Sequence, residues 1–68
     1  MKNLSKKNKP NLDDVVKVTC YNQTKEYVRR DAIAFFFECM MNSEGSERER
    51  YVNIYQMLML GYMECWDC

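Results

Sequence analysis

The sequence predicts a small α+β domain: a β-hairpin followed by two packed α-helices (ββαα), ending in a short third strand or a packed tail. Three observations predict it. "VVKVTCYNQTKEYV" is rich in β-branched and aromatic residues around a central asparagine, the pattern of two short strands joined by a tight turn. "DAIAFFFECMMN" and "SERERYVNIYQMLML" then repeat apolar residues at i, i+3, i+4 and i+7, one face of a helix. The two glycines, Gly45 and Gly61, stand where those helical patterns break.

Residues 1–12 read as a flexible basic arm, because they lack apolar periodicity and hold Lys2, Lys6, Lys7, Lys9 and Pro10. Residues 13–68 read as one domain, and 68 residues allow no more than one. In the hairpin, Asn22 tolerates a positive φ, so Asn22-Gln23 is the expected two-residue turn. That turn pairs Val18 with Tyr27 and Val16 with Arg29. One face then carries Val16, Val18, Cys20 and Tyr27, and the other Lys17, Thr19, Glu26 and Val28. A three-residue loop would put Val28 on the inner face instead of Tyr27.

The first helix is expected over residues 31–42, with Asp31 capping it or lying in its first turn. Its buried stripe is Ile33, Phe36, Phe37 and Met40, with Phe35 pointing elsewhere. For the second helix, Ser46 and Glu49 fit a capping box. Tyr51, Ile54, Tyr55 and Leu58 make its inner stripe, and Gly61 ends it. "YMECWDC" is too apolar for a solvated tail, so it either adds a third strand or folds back as irregular chain.

Composition limits the chemistry. There is no histidine, which removes Ser-His and Cys-His pairs. Two glycines cannot build a phosphate loop. Cys65 and Cys68 form a C-x-x-C, but the pair follows a helix instead of starting one, beside Asp67, and nearby negative charge raises a thiol pKa. Cys20, Cys39, Cys65 and Cys68 match no familiar zinc spacing. The acidic pairs Asp13-Asp14 and Glu47/Glu49 read as solvated or capping charges, and Glu47 is spaced to pair with Arg50. No catalytic residue, cofactor or metal is therefore expected. No apolar run is long enough to span a bilayer, and no apolar stretch follows the basic start as in a secretory signal. A cytoplasmic protein with free thiols is the expectation.

Two surfaces remain as candidates. Both helices carry more apolar residues than one inner stripe can bury. Phe35, Val52, Met57 and Met59 fall outside the stripes and, with Trp66, make a candidate contact surface for a protein partner or a weak homodimer, unless the tail covers it. The second candidate is a weak nucleic-acid or anion contact through Lys6, Lys7, Lys9, Arg29, Arg30, Arg48 and Arg50. The four lysines of the arm are offset by a net charge of −4 over the remaining residues. That is unlike a nucleic-acid-binding domain, which gathers positive charge on its folded surface.

The segments Thr24 to Tyr27, Ala32 to Phe36 and Gly45 to Tyr55 carry a T-K-E-Y strand, an A-I-x-F-F/Y helix start and a G-S-E-R-x-R-Y-x-x-I-Y helix. In these the chain resembles small uncharacterised proteins encoded on integrative conjugative elements of Firmicutes, over roughly residues 16–61. The resemblance implies an accessory protein of a mobile genetic element and brings no catalytic residue with it. The arm and the C-x-x-C lie outside it.

Overall fold

The computed structural model describes residues 11–67. Strand β1 (Val15–Cys20) turns into β2 (Gln23–Val28). Helix α1 (Arg29–Met41) follows without a loop, α2 (Gly45–Leu60) returns beside it, and β3 (Glu64–Trp66) closes the chain. The α+β class and the ββαα order are as predicted, and the tail supplies a third strand. In the sheet, β1 lies between β2, to which it runs antiparallel, and β3, to which it runs parallel.

The hairpin turns one residue earlier than expected. Tyr21 and Asn22 both have positive φ, 55° and 66°, as a turn that follows the twist of the strands requires. Val16 therefore pairs with Tyr27, and Val18 with Lys25. The register is displaced by two residues, so every side chain keeps its predicted face. A bulky residue is strained at positive φ, and Tyr21 is held by side-chain bonds. Its hydroxyl donates to Glu47 Oε2 (2.9 Å), its amide donates to Asp67 Oδ2 (3.1 Å), and Arg50 lies 4.8 Å above its ring. The expected Glu47–Arg50 pair does not form, because Glu47 accepts from Tyr21 and Arg50 bonds Asp67 at 2.8 Å.

The core consists of Val16, Val18, Ala32, Phe36, Ile54, Leu58 and Cys65. Helix α2 buries Ile54 and Leu58 and packs half-buried Tyr51 against the core, as its periodicity predicts, whereas Tyr55, expected on the inner stripe, is half-buried beside Phe37 on the outer side. Helix α1 follows its predicted stripe in part: Phe36 is buried, Ile33 packs half-buried against the core and Met40 is half-buried. Arg29, Ala32 and Phe36 are its buried residues, and Phe37 is 44% exposed. The phase is set by Arg29, which no apolar pattern would place inside.

Arg29 has no exposed surface. Nη1 donates to the carbonyls of Leu58 and Tyr62, both at 2.9 Å. Nη2 donates to the Gly61 carbonyl (3.2 Å) and to Asp14 Oδ2 (3.4 Å), and Nε donates to the Asn11 carbonyl (3.2 Å). A helix leaves its last carbonyls unpaired and slightly negative. A guanidinium has five donors in a planar fork and no acceptor. One side chain thus caps α2 while tying it to the start of α1 and to the segment before β1. The backbone adds Arg29 N–H to Asp14 O (2.7 Å) and Arg30 N–H to Leu12 O (3.1 Å). Asn11 and Leu12, assigned to the arm by sequence, are therefore bonded to the domain. The rest of the arm lies outside the described residues.

Helix ends account for the other departures. Gly61, at φ 101°, ends α2, with its N–H on Leu58 O and the Tyr62 N–H on Met57 O, the paired closure expected of a C-terminal glycine. The capping box is not formed. Glu44 flanks the helix without a side-chain bond, and α2 already starts at Gly45, itself at φ 67°. Ser46 thus lies inside the first turn. Asp31 lies in the first turn of α1, whose flanking residue, Val28, is extended.

Candidate functional site

The predicted contact residues separate onto different sides of the molecule. Met57 is half-buried and packs against the core, so it is no surface anchor. Trp66 lies on the open face of the sheet, opposite Thr19 in register and 6.4 Å from the Tyr62 ring. Phe35 lies on the β2 side of α1, stacked on Tyr27 at 6.0 Å. Val52 and Met59 lie on the side of the helices away from the sheet.

That last side is an apolar surface built from both helices. Ala34, Phe37, Glu38 and Met41 on α1 share one stripe, as do Val52, Tyr55, Gln56 and Met59 on α2. Phe37 and Tyr55 join the stripes, with ring centroids 5.7 Å apart. Phe37, Met41 and Met59 are 44%, 60% and 47% exposed. Only Glu38 and Gln56 are polar among the eight. The periodicity of α1 marked Phe37 as core. Its exposure follows from the rotation that Arg29 imposes, which the sequence pattern does not reveal.

A second surface is a concavity of about 260 Å³ between β2 and the helices. Tyr27, Phe35, Phe36 and Tyr51 give it an aromatic wall, Cys20 and Cys39 lie in its floor, and Gln23 and Lys25 stand on its strand side. Burial pushes up the thiols of Cys20 and Cys39 and the phenols of Tyr27 and Tyr51. At neutral pH these four groups are uncharged, and a protonated thiol is a poor nucleophile.

The C-x-x-C motif is divided. Cys65 points into the core opposite Val18, 1% exposed, and burial raises its thiol pKa, opposed in part by the charge of Arg29. Cys68 lies outside the described residues. Asp67, between them, holds the hairpin turn. The Tyr21 amide first, then Arg50, keep its carboxyl below the usual range. Among the described residues no group of three or more Cys, Asp or Glu side chains is placed to hold a metal ion.

The arginines do not form a patch. Arg29 is wholly internal, a correction to its reading as a surface anion contact: its five donors are occupied by backbone and Asp14. Arg30 pairs with Asp13, and Arg50 with Asp67. Arg30 begins α1, whereas Arg48 and Arg50 begin α2. Since the two helices form a hairpin, these starts lie at opposite ends, about 20 Å apart for a 13-residue helix. Lys6, Lys7 and Lys9 lie outside the described residues. No described helix is long and apolar enough to cross a membrane. The chain matches no protein-family model, no curated protein and no solved structure in the comparisons made.

Proposed function

We propose that the chain is a non-enzymatic protein-interaction module, working through the outer face of its helical hairpin. The observation that carries this reading is the paired stripe joined at Phe37 and Tyr55, with Phe37, Met41 and Met59 each 44% exposed or more. A joined apolar face on so small a domain marks a contact site, and methionines adapt to the shape of what they meet.

A second copy of the chain fits this face. Arg30, Ala34 and Glu38 follow one another at four-residue spacing on α1. Two copies crossing antiparallel at Ala34 would set Arg30 of each beside Glu38 of the other, a self-complementary contact about a two-fold axis. The small alanine permits close approach. The resemblance supports placing such a module among the cytoplasmic accessory proteins of a mobile genetic element.

Sedimentation velocity between roughly 10 μM and 1 mM tests the reading, the range in which weak dimers form. The expected result is a mass that rises towards two chains, and a single-chain mass for Phe37→Lys at every concentration. Circular dichroism checks that the variant folds, as it should, since Phe37 is already half-exposed. A wild-type chain that keeps a single-chain mass across the range overturns the homodimer.

A further inference from the structure

We infer that the outer edge of β2, unpaired among the described residues, with the aromatic concavity beside it, is a docking site for an extended peptide from another protein, which adds to the sheet as a fourth strand. This goes beyond the helical face and does not depend on it. The two-residue turn makes Cys20 and Gln23 the pair that closes the hairpin. Hydrogen-bonded and non-bonded pairs alternate from there. Gln23, Lys25 and Tyr27 therefore bond inward to β1, and Thr24 and Glu26 direct their N–H and C=O groups outward. The side chains of Thr19 and Thr24, 2.8 Å apart, lie on the first non-bonded pair. Because β1 is central, no described strand meets those outward groups. Such an edge is a template for strand addition. An apolar side chain of the incoming strand, opposite Tyr27, would land on the shelf made by Phe35, which is 51% exposed.

Charge selects the occupant. On the open face Glu26, Lys17 and Glu64 form a row across the sheet, alternating in sign. A basic residue opposite Glu26 continues the row. On the inner face Lys25 stands at the edge, makes no ion pair among the described residues, and calls for an acidic neighbour. A second copy of β2 does not satisfy these conditions. Its outward groups sit at Thr24 and Glu26 as well. Aligning Thr24 with Glu26 sets Lys25 against Lys25, and aligning Glu26 with Glu26 sets carboxylates opposite each other. Aligning Thr24 with Thr24 runs Glu26 into the turn at Asn22. Like charges directly opposite are unfavourable. The occupant is thus a foreign antiparallel segment reading apolar, basic, acidic, β-branched.

The test is an NMR titration of the isotope-labelled full chain with the peptide acetyl-Thr-Phe-Lys-Glu-Thr-Val-amide. Saturable shifts are expected at the amides of Thr24 and Glu26 and at the Phe35 ring. Exchanging the peptide's Lys and Glu should weaken binding about tenfold, two favourable pairs becoming two unfavourable ones. N-methylating the peptide residues that face Thr24 and Glu26 should abolish it. So should Glu26→Pro, which removes an outward donor and leaves the β1 ladder intact. Phe37→Lys should bind as wild type does, separating this site from the helical face. No saturable shift at about 5 mM peptide, a concentration above even millimolar affinity, overturns the inference. Equal binding of the charge-exchanged or N-methylated peptide also overturns it.

Discussion

Replacing Arg29 by alanine should unfold the domain. The side chain is fully buried, and its five donors meet three carbonyls at the end of α2, one carboxylate oxygen of Asp14 and the carbonyl of Asn11. Its removal leaves the Gly61 and Tyr62 carbonyls and Asp14 Oδ2 without this donor, while the Leu58 and Asn11 carbonyls keep the amides of Gly61 and Asp14, and it opens a void among Leu58, Gly61 and Asp14. A hydrogen bond to a charged group is worth about 1.5–3 kcal/mol, and an unsatisfied buried group costs about 1–3 kcal/mol. Water will reach some of the acceptors, since Asp14 is about one-third exposed, so the sum is discounted to the 3–5 kcal/mol typical of breaking a buried pair. A chain of 68 residues has roughly 3–10 kcal/mol of total stability. Arg29→Ala therefore consumes between about a third and all of it. Arg29→Lys keeps the charge but has three donors and no fork, so it should lose about 2 kcal/mol. Urea unfolding followed by helical circular dichroism and Trp66 fluorescence reads both. At a slope near 1 kcal/mol per molar, the lysine variant should lose about 2 M in midpoint, and the alanine variant should show no folded baseline. An alanine variant within about 1 kcal/mol of wild type would refute the reasoning, as would lysine proving as damaging as alanine.

Two further outcomes follow from the helix start and the turn. Gly45 has φ 67° and open space where a Cβ would stand, so Gly45→Ala should cost about 1–2 kcal/mol through backbone strain alone, read as a lowered melting temperature with unchanged helix content. The carboxyl of Asp67 is held below its ordinary value by the Tyr21 amide and then Arg50. Its stabilising effect is complete above the unfolded pKa of about 3.9 and is lost as pH falls through the lower folded value. Asp67→Asn should be less stable than wild type at pH 7, with the difference shrinking as pH drops below about 4. Parallel urea curves at pH 7 and at acid pH check this, and a difference independent of pH would show that Asp67 acts through packing and not through its charge.

Local signals were legible wherever the chain's own chemistry is repetitive. The alternation of Val16, Val18 and Cys20 with Lys17 and Thr19 fixed which side of the hairpin is buried. That outcome survived a turn placed one residue too late, because a two-residue displacement of register conserves face. Gly61 could be read as the end of α2, since a left-handed closing residue favours glycine. Ile54 and Leu58 followed helical period into the core. The candidate surface was legible only in part. Surplus apolar residues showed that a greasy face exists, and Val52 and Met59 lie on it. Met57 instead packs inward, while Phe35 and Trp66 belong to other surfaces.

What the sequence determined by itself was the class of each element and the parity of each strand, because period, turn chemistry and charge act over a few residues along the chain. Only the tertiary structure decided the phase of α1, the purpose of Arg29 and the joining of Phe37 to Tyr55. A buried arginine is justified by acceptors some thirty residues away, at Leu58, Gly61 and Tyr62. Those carbonyls become available only when α2 ends against the start of α1. No local pattern encodes that meeting, and once it occurs it turns the helix, sends Ala32 inward and leaves Phe37 facing out.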